Sequence, residues 1–115
     1  MVDIERQARI AKVKAMAGAI SSGATIVHSK AILNGVNVSA NRTSMTMDDG
    51  AELKLAYGFP DNKDDTTMQW IVQDMGDFTY KSGSYSLPNL KNCKINYKNA
   101  KQDSGPQITL SQQCN

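Results

Sequence analysis

Half-cystines, histidine and aromatic rings are all scarce in this chain. Among 115 residues there are two cysteines, one histidine and one tryptophan, and aromatics make up 6%. Two cysteines with one distant His28 cannot complete a tetrahedral zinc set. Charge of one sign is missing too: the formal net charge is +2, so no general field argues for nucleic acid or an acidic membrane. No apolar run of membrane-spanning length is read in the sequence. The opening MVDIERQARIAKVK is polar and helical in character, unlike a signal peptide. Enzyme chemistry finds little to work with. His28 is followed by Ser29, but adjacent helical residues point about 100° apart and make a poor base–nucleophile pair. No catalytic residue, metal or cofactor is assigned.

What remains is one domain, residues 1–115, able to hold one modest hydrophobic core. The two cysteines, Cys93 and Cys114, both fall late. They allow one intramolecular pairing, whose loop closure would stabilise the fold by roughly 3 kcal/mol in the chain-entropy model. The polar stretch between them, with Gly105 and Pro106, would fray beside a free chain end without such a tie. Two unpaired thiols in a cytosolic protein are the competing reading, and an exported, disulfide-closed end is preferred.

Residues 3–33 read as one long helix. Ile10, Val13, Ala17, Ile20, Ala24, Val27 and Ala31 recur at alternating spacings of three and four and form its core face. Asn34-Gly35 is placed to end it with a left-handed residue. From 45 to 115 the chain reads as a sheet region. Met45 and Met47 lead through Asp48-Asp49-Gly50 to an alternating Leu53, Leu55 and Tyr57, a hairpin pattern. YGFPDNKDD reads as a loop in which Pro60 closes the strand, and DDTTMQWIVQDMG as a short helix ended by Gly76. DFTYK, NCKINYK and QITLSQ supply three further strands, with Cys93, Ile95 and Tyr97 on one face. The class is α+β: a long N-terminal helix packed on an antiparallel sheet.

The closing C-K-I-N-Y-x-x-A, the proline, the I-T-L strand and the final cysteine resemble the end of a bacterial type IV pilin, specifically the mannose-sensitive haemagglutinin group. The stretch RIAKVKAMAGAISSGATIVHSKAILNG and the YGFP turn are similar to the same group. The likeness covers most of the chain and is closest at its two ends. It implies a pilin-like fold whose cysteine pair bounds a C-terminal surface region. It also implies a filament subunit of a Gram-negative bacterium, held in the inner membrane before assembly and extracellular in the pilus (fimbrium) afterwards, with roles in adhesion, motility or biofilm. Its partners would be other pilin subunits, and the isolated chain would be a monomer. Pilins begin with a leader and an apolar helix half carrying a glutamate. Glu5, in VDIERQ, does not match that glutamate. The chain is therefore expected to start partway along the family's helix, with membrane anchoring left to the part before it.

Other readings within this frame compete. Asp61, Asn62, Asp64 and Asp65 form an acidic loop like the calcium loops of secretion pseudopilins, but Lys63 breaks the D-x-D-x-D alternation. A DNA-contacting minor pilin would use Lys91, Lys94, Lys98 and Lys101 near Tyr97. That region has no arginine, and strand alternation is expected to split its lysines between faces. Asn37-Val38-Ser39 and Asn41-Arg42-Thr43 match a glycosylation pattern that means little in a bacterial chain.

One helix feature points outward. Ala11, Ala15, Gly18, Ser22, Thr25 and Ser29 are all small and form a ridge expected about 100° round from the core face. No residue between Lys14 and Lys30 carries a full charge. Gly18 and Gly23 each cost the helix about 1 kcal/mol relative to alanine, so close helix–helix packing is expected to compensate. The ridge is therefore assigned as a filament-packing face.

Overall fold

The structure, a computed structural model, describes residues 3–115. The helix α1 spans Ile4–Leu33. Asp3 caps it, its carboxylate accepting from the Arg6 amide at 2.9 Å, which satisfies an amide that has no carbonyl partner within the helix. At the other end Gly35 has φ +73°. Val36 N–H donates to the Ala31 carbonyl at 2.9 Å and Gly35 N–H to that of Ile32 at 3.1 Å. This is a Schellman closure, and the asparagine–glycine pair supplies it.

Two antiparallel sheets follow, where a single sheet was expected. The first orders β1 (Thr43–Thr46), β2 (Glu52–Ala56) and β3 (Phe59–Pro60). Tyr57 does not continue β2 as expected. Tyr57 and Gly58 have φ +53° and +76°, the left-handed pair of a two-residue hairpin turn, and Ala56 pairs with Phe59. Pro60 therefore belongs to an edge strand, where its missing N–H leaves no gap in the ladder.

The helix α2, Asp65–Trp70, is capped by Asp64 and ends well before Gly76. The buried Ile71 and Val72 extend its apolar pattern past its last turn, so burial rather than helical periodicity accounts for them. The second sheet orders β4 (Thr79–Lys81), β5 (Ser84–Ser86), β6 (Cys93–Lys98) and β7 (Gln107–Gln112). β5 was not anticipated. It follows another turn with two positive φ values, Ser82 at +50° and Gly83 at +87°.

One hydrophobic cluster joins both sheets to α1. Val13, Ile20, Ala24, Val27 and Ala31 are buried in it, while Ile10 and Ala17 pack at its margin. Met16 is buried as well, outside the expected stripe. Three tyrosines stitch the layers by donating to backbone carbonyls: Tyr97 to Pro60 at 2.9 Å, Tyr85 to Met68 and Tyr80 to Asn62, both at 2.5 Å. Burial pushes all three phenols up, Tyr80 to about 12.

By length and composition alone α1 is also long and apolar enough to cross a membrane, an 18-residue window of it averaging a hydropathy of 1.2, although no continuous apolar run of that length was expected. Its alanines and isoleucines, unbroken by charge between Lys14 and Lys30, raise the average. A helix in the core of a soluble protein passes the same test.

Candidate functional site

Cys93 and Cys114 form a disulfide across 21 positions. The segment between them is not a fraying loop: β6 and β7 pair over six residues, and Ile95, Tyr97 and Ala100 are buried. The bond locks the open end of this hairpin, where the Cys114 amide also donates to the Asn92 carbonyl at 3.1 Å. Two helix arginines hold the same end. Arg6 Nε donates to the Gln113 carbonyl at 2.7 Å. Arg9 donates twice to that of Cys114, from Nε at 3.2 Å and Nη2 at 3.0 Å. The first turns of α1 are thus tied to the disulfide-closed terminus, a contact that residues more than a hundred positions apart do not signal in the sequence.

All six ridge residues, Ala11, Ala15, Gly18, Ser22, Thr25 and Ser29, are exposed. They lie opposite the buried stripe, about 180° round at 100° per residue rather than on the expected flank. At 100° per residue the expected stripe itself stands about 150° from the ridge, and Met16 with a close approach at Gly23 turns the buried side the rest of the way. Thr25 Oγ1 donates to the Ser21 carbonyl at 2.9 Å, and Ser29 Oγ to that of Thr25 at 3.0 Å. With their donors turned back onto the helix, these hydroxyls present methyl, methylene and backbone surface. Ile26 and Leu33 border the ridge at 54% and 83% exposure. Beside Ala15 a cleft opens between α1 and the 74–78 turn, lined by Met16, Ala19, Met75 and Phe78 and flanked by a 3.5 Å ion pair of Lys12 with Asp77.

The two ridge-region glycines part company. A β-carbon on Gly18 would meet nothing within 4 Å, whereas one on Gly23 would lie 2.0 Å from the Ile71 carbonyl oxygen. Gly23 is therefore required by contact inside the molecule, which corrects its assignment to helix–helix packing between molecules. Gly18 has no such internal reason.

The remaining sequence candidates are accounted for locally. His28 stacks on Phe59 with ring centroids 3.8 Å apart, and its Nδ1 lies 3.1 Å from the Gly58 carbonyl. Ser29 points elsewhere, to Thr25. In the acidic loop, Asp61 Oδ1 accepts from Lys63 N and Asn99 Nδ2, and Asp64 Oδ2 accepts from Thr67 N and Oγ1. Among the described residues no cluster of three or more His, Cys, Asp or Glu could hold a metal ion. Asn37 and Asn41 are exposed, and Asn37 Oδ1 accepts from the Ser39 amide.

The lysines near Tyr97 are not split by the strand. Lys94 and Lys98 alternate with buried Cys93, Ile95 and Tyr97 and share the outward face of β6. Lys81, paired through Ser84 to Asn96, stands on the same face. Lys91 and Lys101 are exposed in the flanking loops. The rest of that outward face is Thr79, Ser84, Ser86, Asn96, Gln107, Thr109 and Ser111, with no carboxylate and no aromatic ring.

No protein-family model, curated protein or solved structure matches the chain.

Proposed function

We propose that this chain is the globular part of a type IV pilin, resembling the mannose-sensitive haemagglutinin group, and that it polymerises through α1 into a surface filament. One observation carries this reading. The whole side of α1 opposite its core is exposed yet uncharged from Ala15 to Ser29, with its Thr25 and Ser29 donors already satisfied. Burying such a face costs little desolvation, and its small residues let another helix come close. A helix meant only for water would carry lysine and glutamate there. The partner is another copy of the chain, the filament extracellular, and the subunit's stage before assembly the inner membrane. The protein is structural rather than catalytic, and needs no cofactor.

The test is Gly18→Glu with Ser22→Glu. Both positions are exposed, and a β-carbon at 18 meets nothing. The isolated chain should therefore fold with an unchanged disulfide and a thermal midpoint no lower than the parent's. In cells that assemble the filament the pair should abolish pili on the surface, because two charges would be buried without partners. Normal piliation would remove the ridge as an assembly surface.

A further inference from the structure

We propose that the outward face of the four-stranded sheet binds an acidic polysaccharide: a hydroxyl-rich polymer whose carboxylates or sulfates are spaced well apart. Three lysines set the charge pattern. Lys94 and Lys98 are four residues apart on β6, about 13 Å along the strand. Lys81 lies two strands away, about 10 Å across the sheet, opposite the point midway between them. None of the three is in an ion pair: the two pairs among the described residues use Lys12 and Lys54. No carboxylate stands among the outward strand positions, and Asp65, which lines a cleft with Lys81, has Lys63 beside it there.

The uncharged positions between the lysines are hydroxyls and amides, which both donate and accept and so match sugar hydroxyls. Duplex DNA fits less well. It carries a phosphate charge about every 1.7 Å of axis, so cations this far apart would neutralise few of them. The face also lacks the arginine and aromatic rings that hold unstacked bases. Without an aromatic platform each copy binds modestly, and a long polymer gains strength by touching several copies at once. Binding of this kind goes beyond filament assembly and does not require it.

The experiment titrates the isolated chain at low salt with dextran sulfate, polygalacturonate, neutral dextran and duplex DNA. Both charged polysaccharides should bind and neutral dextran should not. The triple variant K81Q/K94Q/K98Q, altered only at outward positions, should keep its thermal midpoint and bind about tenfold more weakly. A control with the same charge change on α1, behind the sheet, K12Q/K14Q/K30Q, should stay within about twofold of the parent. Binding of only one charged polysaccharide would uphold the surface and name its anion as sulfate or carboxylate. Equal weakening in both triple variants would reduce the effect to net charge and overturn the proposal. So would failure of both charged polysaccharides to bind, or tighter, face-dependent binding of DNA.

Discussion

The Gly23 α-carbon faces the Ile71 carbonyl so closely that a β-carbon there would stand 2.0 Å from the oxygen. The contact joins α1 to the segment just after α2, and the obstacle is backbone, which cannot swing aside as a flexible side chain would. Gly23→Ala should lower stability by about 2 kcal/mol or more despite alanine's better helix propensity. Gly18→Ala, with open space around it, should raise stability by about 1 kcal/mol. Urea unfolding of the two variants reads the opposite signs, and equal shifts would refute the difference in packing.

Reduction of Cys93–Cys114 should cost about 3 kcal/mol. The β6–β7 ladder is a long-range pairing of six residue pairs that stands on its own hydrogen bonds and buried Ile95 and Tyr97. The reduced chain should therefore remain folded at moderate temperature with a lower thermal midpoint. Intact mass before and after reduction, with alkylation, verifies that the bond is the variable.

Arg9→Ala removes two hydrogen bonds to the Cys114 carbonyl. A loss of about 1 kcal/mol is expected, since the guanidinium is only partly buried. The more specific readout is amide exchange. The Cys114 amide, which donates to Asn92, should exchange faster while the centre of β6 stays protected.

Alkali should unfold the protein through its tyrosines. Tyr80 is raised to about 12 by burial, and Tyr85 and Tyr97 are pushed up for the same reason. Each phenol holds its proton more tightly folded than unfolded, where it titrates near 10. Their contribution is complete below about pH 10 and falls as the pH rises above it, that of Tyr80 being lost through about 12. Tyr80→Phe should be less stable by about 1 kcal/mol at neutral pH, having lost its bond to the Asn62 carbonyl. Its stability should then fall less steeply with alkali. Urea midpoints followed from about pH 8 to 12 check both parts.

The elements most legible in the sequence are those whose signals are local and repeated. α1 has a stripe over many turns and an asparagine–glycine stop, and each of these has a counterpart in the structure. β6 was legible from Cys93, Ile95 and Tyr97 alternating with polar residues. β3 and β5 were missed because they are two and three residues long and show no period, although their partners β2 and β4 were read as strands. Their signals were the turn dipeptides Tyr57-Gly58 and Ser82-Gly83, of which the second is a common turn pair. The extent of α2 was misjudged because Ile71 and Val72 are buried by tertiary packing that mimics helical spacing. The role of Gly23 and the outward gathering of Lys81 with Lys94 and Lys98 depend on which segments meet, and one-dimensional spacing carries no record of that.

The tie between the helix arginines and the locked hairpin also sets how the protein answers a mechanical pull. Tension applied at the first turns of α1 passes through Arg6 and Arg9 to the Gln113 and Cys114 carbonyls before it reaches the hydrophobic cluster. Beyond that contact the covalent bridge withholds 21 residue steps from extension, about 70 Å of contour length. Stretched in oxidising surroundings, the chain would lengthen by everything before Cys93, β4 and β5 included, and then stop, with the β6–β7 hairpin still closed.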